Sequence, residues 1–133
     1  GTAQRALDVS IQYAKERIAF DKPIAGFQLV QDMLAQMAVD VEAARLLVYQ
    51  AGVVKNQGEV STIPVSMAKY FATEAAKRNA DMAIQIHGGY GFSDEYEPER
   101  LWRDCRVASL YEGTSQIQKL IIGRHLTGIS AFL

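Results

Sequence analysis

The sequence is poor in several features, and each shortage argues against a class of protein. Its single cysteine, Cys105, cannot form a disulfide within the chain, which agrees with a reducing compartment. The formal net charge of −1 gives no electrostatic case for binding nucleic acid or an anionic membrane surface. No apolar run approaches the ~20 residues of a membrane span. The two histidines, His87 and His125, lack the cysteine or carboxylate spacing of a metal site.

The length and overall composition are those of a folded domain. The chain has 133 residues, of which 49% are hydrophobic and 22% are charged. We expect one domain over residues 1–133. The sequence begins at Gly1 without a methionine or a targeting segment, so we expect a piece of a longer protein whose upstream domains are absent.

Helical periodicity dominates the chain. In its clearest segment, apolar residues recur at alternating steps of three and four, at Phe27, Val30, Leu34, Met37, Val41, Ala44, Val48 and Ala51. This spacing is typical of a helix packed in a bundle. The polar residues Asp32, Gln36, Asp40 and Glu42 fall off this apolar stripe. The pattern predicts a helix over about 26–57.

The remaining elements follow from the same pattern and from start and stop signals. We expect long helices at about 1–20, 61–88 and 115–130, and a short one at about 98–106 that opens at Pro98. The residues expected to face inward are Ala3, Leu7, Ile11, Ala14, Ile18, Met67, Phe71, Ala75, Met82, Ile117, Leu120, Ile121 and Arg124. No segment longer than four residues alternates like a strand. The predicted fold is all-α, an up-and-down four-helix bundle with one short extra helix.

The segment from Tyr111 to Ile117 carries the strongest chemical signal. Glu112 lies on an irregular stretch with apolar neighbours, where partial burial would raise its pKa toward the working range of a general base. Gly113 would let another molecule approach the backbone. Thr114 and Ser115 can cap the next helix, whose N-terminus favours hydrogen-bond-accepting ligand atoms. A lone carboxylate in a loop is nevertheless most often a cap or a surface charge.

Four segments together resemble the C-terminal helical domain of the acyl-CoA dehydrogenases. They are Gly1-Thr2-Ala3-Gln4-Arg5-Ala6-Leu7-Asp8, Arg17-Ile18-Ala19-Phe20-Asp21-Lys22-Pro23-Ile24 with Phe27-Gln28, Gln85-Ile86-His87-Gly88-Gly89-Tyr90-Gly91-Phe92, and Tyr111-Glu112-Gly113-Thr114. The resemblance implies an FAD-dependent enzyme that dehydrogenates acyl-CoA thioesters between the α and β carbons. It assigns Glu112 as the base that removes the α-proton.

The same resemblance implies the binding residues and partners. Tyr111 and Gly113 would contact substrate, and Thr114, Ser115 and Gln116 would hold FAD within one subunit. Arg17, Phe27, Gln28, Gln85 and Gly89 would reach the FAD of a neighbouring subunit, and Gly88 is implied as a further cofactor-binding residue. The implied assembly is a homo-oligomer, either a dimer or a tetramer, and the implied electron acceptor is an electron-transferring flavoprotein. The expected location is cytoplasmic in a bacterium or the mitochondrial matrix in a eukaryote.

Plainer interpretations remain open for several of these residues. Arg17 can be a surface arginine, and His87 a cap or packing residue. The Gly88–Gly91 stretch can be a helix cap and turn, since Asp94 stands where a dinucleotide fingerprint needs its third glycine. Arg100, Arg103 and Arg106 can form a solvated face paired with Glu97 and Glu99. Two rival functions are an oligomerisation module without catalysis and an acyl-CoA oxidase-type domain.

Overall fold

The computed structural model describes residues 1–132, and it confirms the all-α helical bundle. The helices are α1 (Thr2–Glu16), α2 (Gln28–Asn56), α3 (Thr62–His87), α4 (Glu97–Arg106) and α5 (Ser115–Thr127). Two short strands, β1 (Ile18–Ala19) and β2 (Lys22–Pro23), join α1 to the remainder. Short 3₁₀ turns occupy Ile24–Gly26, Gly88–Phe92 and Val107–Ser109. The four long helices and the short α4 are those the sequence predicts.

Helix α3 lies at the centre of the bundle. It packs against α1, α2, α4 and α5, whereas α5 packs chiefly on α3. Alanine dominates the contact faces, because a side chain of one methyl lets two helix backbones approach closely. The fully buried or nearly buried core consists of Ala3, Ala6, Leu7, Ala14, Met37, Val41, Ala80, Ala83, Ile86, Leu101 and Cys105.

The buried amide of Asn79 ties three helices together. Its Nδ2 donates to the carbonyl oxygens of Met37 on α2, at 3.0 Å, and Ala3 on α1, at 3.4 Å. A residue inside a helix normally directs its carbonyl to its own helix, so these extra donations fix how α1 and α2 sit on α3.

Asp40 is buried, although the predicted apolar stripe of α2 leaves it outside. The sequence places it off the stripe, yet only 3% of its surface is exposed. Arg78 on α3 pairs with both carboxylate oxygens, through Nε at 3.0 Å and Nη2 at 2.9 Å. A hydrophobic pattern cannot reveal such a buried carboxylate, because the partner that makes its burial possible lies 38 residues away.

Several other inward positions were also assigned wrongly. Val48, Ile18 and Met67 are exposed, while Gln118 on α5 is buried. Ile117 and Arg124, which the sequence places on the inner side of α5, are also exposed. Gln118 is buried because its amide satisfies backbone carbonyls of the preceding loop, as described below, so polarity alone does not place it outside.

The end of α1 differs from the prediction by four residues. The helix stops at Glu16, because Arg17 is extended and the chain enters a hairpin with Ile18 opposite Pro23 and Ala19 opposite Lys22. Phe20 and Asp21 make the turn with φ of 50° and 63°. Strands of two residues are too short to show alternation, so this hairpin was not predicted. Helix α5 likewise ends at Thr127, where Gly128 adopts a left-handed C-cap.

We expect Arg78→Met to destabilise the chain by roughly 2–3 kcal/mol, because it leaves the Asp40 carboxylate buried without its charged partner. Urea unfolding followed by circular dichroism measures this change. The control is Arg103→Met, whose partner Glu99 forms a more exposed pair on α4 and which should cost about 0–1 kcal/mol. Equal losses in the two variants would contradict the structural importance of the Asp40–Arg78 pair.

Candidate functional site

The segment that carries Glu112 runs from the last 3₁₀ turn into α5. Glu112 adopts a left-handed backbone with φ of 53°, and Gly113 follows with φ of 88°. Thr114 is the N-cap of α5, and its Oγ1 accepts a hydrogen bond from the Ile117 amide at 3.3 Å. The predicted capping role of Thr114 is therefore confirmed. The left-handed backbone of Glu112 is unusual, because a residue other than glycine rarely takes this conformation.

Two side chains from the bundle bind the carbonyls of this loop. The Lys69 ammonium on α3 donates to the Gly113 carbonyl at 2.6 Å. The buried Gln118 amide donates to the carbonyls of Glu112, at 3.2 Å, and Gly113, at 3.4 Å. A Cβ on Gly113 would lie 2.6 Å from the Gln118 amide nitrogen, so the glycine permits this close approach. The loop is thus held from both α3 and α5.

The hydroxyl of Ser115 is directed into the bundle. Its Oγ donates to a Glu74 carboxylate oxygen at 2.6 Å, and Lys77 donates to the other oxygen at 2.8 Å. Partial burial raises the pKa of Glu74, but hydrogen bonds from Lys77 and Ser115 and the nearby Lys119 charge outweigh it and leave the pKa below its ordinary value. The Ser115 and Gln116 amides open α5 and have no partner within the helix, so they can donate to a ligand.

Glu112 itself is exposed, contrary to the expectation of partial burial. The neighbouring Tyr111 and Leu110 are also exposed, by 51% and 50% of their surface. The carboxylate therefore stands at the surface of this bundle, next to an open helix N-terminus. Any desolvation of Glu112 has to come from a molecule or a domain that covers this face.

A second group of predicted residues lies at the far end of α3. A cleft of about 560 Å³ is lined by Tyr13, Arg17, Ile24, Ile86, His87, Gly88, Gly89, Tyr90, Ser93 and Glu95. The Arg17 guanidinium lies over the Tyr90 ring, 5.6 Å from its centre. Within residues 1–132, Arg17 forms no ion pair and no side-chain hydrogen bond, so its donors remain available for an anion.

The glycines of this cleft have structural tasks. Gly88 caps α3 with φ of 61°, and a Cβ on Gly91 would lie only 2.8 Å from the Ile84 Cα. The interpretation of this stretch as a helix cap and turn is therefore confirmed. Gly89 has no atom near the place of a Cβ and is exposed, so its backbone stays open to a ligand.

His87 is a packing residue, as one of the sequence interpretations has it. Its ring stacks on Tyr13 at 4.1 Å, and its Nδ1 lies 2.7 Å from the Ala83 carbonyl, which accepts from it. The Tyr13 hydroxyl donates to the His87 carbonyl at 3.4 Å. Burial lowers the pKa of His87 below its ordinary value, which favours the neutral ring.

The other predicted cofactor residues border the same end of the bundle. Phe27 precedes α2 and has the Lys22 ammonium 4.3 Å from its ring centre. Gln28 is the exposed first residue of α2, and Gln85 is exposed on the last turn of α3. The hairpin connects this region to Arg17, whose carbonyl accepts from the Ile24 amide at 2.9 Å.

The structure therefore separates the predicted site residues into two groups, the Glu112 face (111–116) and the Arg17 cleft. The Glu112 face is anchored at Glu74 of α3, whereas the cleft begins at His87. These two anchors are separated by roughly 20 Å along the helix at about 1.5 Å per residue. One chain thus presents its two groups at different places.

The family model described as acyl-CoA dehydrogenase, C-terminal domain, matches residues 1–127, which contain both groups. The chain belongs to the acyl-CoA dehydrogenase family. It is 51% identical over 122 residues to the CarC subunit of the caffeyl-CoA reductase–Etf complex of Acetobacterium woodii, covering 92% of this chain and 32% of the relative.

Solved structures agree with this membership. Butyryl-CoA dehydrogenase from Megasphaera elsdenii matches with a TM-score of 0.92 and 40% identity, covering 94% of this chain and 33% of that one. An FAD complex of PigA matches with a TM-score of 0.90 and 32% identity, covering 93% and 32% of the two chains. The chain thus spans about a third of the length of the relatives that it matches.

Helix α4 carries the three arginines of the predicted run on its exposed surface. Arg100 pairs with Glu97 and Arg103 with Glu99, whereas Arg106 donates to the Ser109 hydroxyl at 3.1 Å. The interpretation of this run as a salt-bridged surface therefore holds for Arg100 and Arg103. Among residues 1–132, no cluster of histidine, cysteine and carboxylate side chains could hold a metal ion. None of the helices in that range is both long and apolar enough to cross a membrane.

The sequence does not predict a role near these groups for four residues that contact them: Tyr13, Lys69, Glu74 and Gln118. Lys69 and Glu74 lie some 40 residues before the loop that they contact, so no local pattern connects them. Gln118 did carry a signal. It lies one helical turn after the N-cap Thr114, where a side chain can turn back onto the loop carbonyls.

We expect stability to fall as the pH drops below about 6.5, because unfolded His87 takes up a proton that the folded chain resists. This contribution is present above the unfolded pKa and is lost as the pH falls through the lowered folded value. Urea midpoints between about pH 7.5 and about pH 5 measure the change. His87→Gln should flatten the profile, and the exposed-site control His125→Gln should keep it. An unchanged profile in His87→Gln would refute the assignment.

Proposed function

We propose that this chain works as the C-terminal domain of a longer FAD-dependent enzyme that oxidises acyl-CoA thioesters between the α and β carbons. The observation that carries this proposal is the Glu112 loop. In a member of this family, a glutamate is held in a left-handed turn directly before an open helix N-terminus. The upstream two thirds of the family's length would supply the remainder of the pocket.

The donors of both groups suit FAD, whose diphosphate and carbonyl oxygens accept hydrogen bonds. At the Glu112 face, the Ser115 and Gln116 amides and the Gln116 side chain are available. The Ser115 hydroxyl can accept but not donate, because its proton is given to Glu74. In the cleft, Arg17 offers an unpaired planar guanidinium, which fits phosphate oxygens in pairs.

The separation of the two groups supports a shared site. Glu74 and His87, the α3 residues beside the two groups, lie roughly 20 Å apart along that helix. The two sets of donors are therefore better placed to serve two flavins than one, with Thr114, Ser115 and Gln116 on the subunit's own FAD. Arg17, Phe27, Gln28, Gln85, Gly88 and Gly89 then reach the FAD of a neighbouring subunit. The functional protein is accordingly a homo-oligomer, either a dimer or a tetramer.

The chemical task of Glu112 is to take the α-proton of the thioester. Bound acyl-CoA would cover the exposed carboxylate and remove water from it, which makes the carboxylate a stronger base. Tyr111 and Gly113 flank it as substrate contacts. The Glu112 backbone amide can donate to the thioester carbonyl and so stabilise the enolate-like charge. FAD, when bound, supplies the hydride acceptor.

The direction of the reaction has a second candidate. CarC, 51% identical to this chain, is a subunit of a caffeyl-CoA reductase–Etf complex, which favours reduction of an α,β-unsaturated thioester. In that direction Glu112 donates the proton instead of taking it.

We propose an electron-transferring flavoprotein as partner in either direction. Rapid reoxidation of the reduced enzyme by oxygen alone would instead favour an oxidase-type domain.

In the intact enzyme, Glu112→Gln should slow flavin reduction by roughly 10²–10⁴-fold, because an amide cannot accept the α-proton. Stopped-flow bleaching of the flavin by acyl-CoA measures the rate, and reoxidation of dithionite-reduced enzyme by the unsaturated thioester, without oxygen, tests the reverse direction. FAD content and acyl-CoA affinity should be retained. Gln50→Glu, a change of the same size on the exposed surface of α2, is the control. A wild-type rate in Glu112→Gln would rule out this base.

Arg17→Ala should have the opposite effect: weaker FAD retention, with little change in the reduction rate of the flavin that stays bound. The bound fraction is measured by absorbance after dialysis. Arg124→Ala is the matched control, since Arg124 is an exposed arginine on α5, outside the Arg17 cleft.

Co-expression of the two variants tests the shared site. If Arg17 serves the neighbour's FAD, mixed oligomers of Arg17→Ala and Glu112→Gln subunits contain some complete sites and recover activity. If Arg17 serves its own subunit, each mixed site lacks one residue, and FAD content and activity rise no higher than the average of the two single variants. The oligomerisation module without catalysis is favoured only if neither variant changes FAD content or rate.

A further inference from the structure

We propose that Lys69 and Gln118 are positioning residues for Glu112, which hold its backbone in the left-handed conformation that presents the base. This inference rests on the proposed function of Glu112. It concerns two bundle residues that make their contacts with the carbonyls of the loop, while the base itself remains at the surface.

The backbone of Glu112 needs such support. A φ of 53° is uncommon for a residue with a side chain and costs free energy relative to the ordinary right-handed or extended regions. Conformations of this kind persist where surrounding contacts determine them. The Glu112 side chain cannot be that contact, because it is exposed and has no hydrogen-bond partner among residues 1–132.

The contacts that do determine the turn converge on two successive carbonyls. Gln118 binds the carbonyl oxygens of both Glu112 and Gly113, and Lys69 binds that of Gly113 from the opposite helix. The two peptide planes on either side of Gly113 are therefore fixed. Rotation of Glu112 to a negative φ would carry these carbonyls away from their donors.

Burial and charge make the arrangement specific. Gln118 is 8% exposed, so loss of the loop carbonyls would leave its amide unsatisfied inside the bundle. Lys69 forms no ion pair with a carboxylate of residues 1–132 and instead donates to a neutral carbonyl at 2.6 Å. Both side chains thus donate their hydrogen bonds to the loop carbonyls. Lys69 does so although α3 carries carboxylates with which a lysine could pair.

The position of this peptide matters for both roles of Glu112. The carboxylate has to reach the α-proton, and the backbone amide has to point at the thioester carbonyl. Misplacement of a reacting group by about 1 Å can cost about 10²-fold in rate. A loop that relaxed to a negative φ would move both groups at once, so the effect should fall on the chemical step.

The test uses the FAD-loaded enzyme and stopped-flow flavin reduction with butyryl-, octanoyl- and 3-phenylpropionyl-CoA, the fastest of which serves for all variants. Lys69→Met and Gln118→Met should each slow reduction at saturating thioester by about tenfold. FAD content and the Kd for the thioester should stay within about twofold of wild type. Lys69→Arg, which keeps a cationic donor, should retain most of the rate.

Two variants on exposed surfaces serve as controls. Lys55→Met on α2 and Gln12→Met on α1 make the same chemical changes away from the loop and should leave the rate unchanged. In the Glu112→Gln background, Lys69→Met and Gln118→Met should slow reduction no further, since the base through which they act is already gone.

The inference is overturned if Lys69→Met and Gln118→Met both reduce their flavin at the wild-type rate. It is also overturned if they lose FAD instead of rate, or if they slow the enzyme equally with and without Glu112. If Gln118→Met fails to fold, Lys69→Met alone decides between these outcomes. A wild-type rate in Glu112→Gln would show that Glu112 is not the base, and so would overturn the proposed function. A wild-type rate confined to Lys69→Met and Gln118→Met would overturn the positioning role alone.

Discussion

Close packing against α3 is the constraint on which the rest of this chain depends. Four helices contact it, and they can do so because its contact faces carry small residues such as Ala75, Ala80 and Ala83. The polar links across these faces are few and directional. Asn79 binds α1 and α2, and Arg78 neutralises the carboxylate of Asp40. Together they fix one arrangement of the helices where alanine packing alone would allow sliding.

The same helix organises both parts of the candidate site. Its first half supplies Lys69 and Glu74 to the Glu112 loop, and its last turn supplies His87 and Gly88 to the Arg17 cleft. Neither part is a deep pocket, and the residues assigned to substrate and cofactor are largely exposed. Such open faces suit a domain that completes its binding sites with other parts of a larger protein.

The sequence predicted the helices well because their apolar spacing and their proline and glycine boundaries are local signals. It was less successful where a distant partner decides the outcome. Asp40 is buried because of Arg78, 38 residues away, and Lys69 contacts the Gly113 carbonyl from 44 residues away, so no local pattern reveals either pair. The hairpin after Glu16 was missed since its strands have only two residues each. For the candidate site, the resemblance implies the residues, while the left-handed turn and its two supporting side chains are visible only in the structure.

The lone cysteine gives this bundle a built-in reporter of its own motion. Cys105 is buried between α4 and its neighbours, and burial raises the pKa of its thiol, so the reactive thiolate is scarce in the folded state. A thiol reagent can therefore reach it only when the packing around α4 opens. The rate at which the thiol is labelled therefore measures how often the packing around this short helix opens. This chain has no second cysteine that would react as well, and no labelling site has to be introduced.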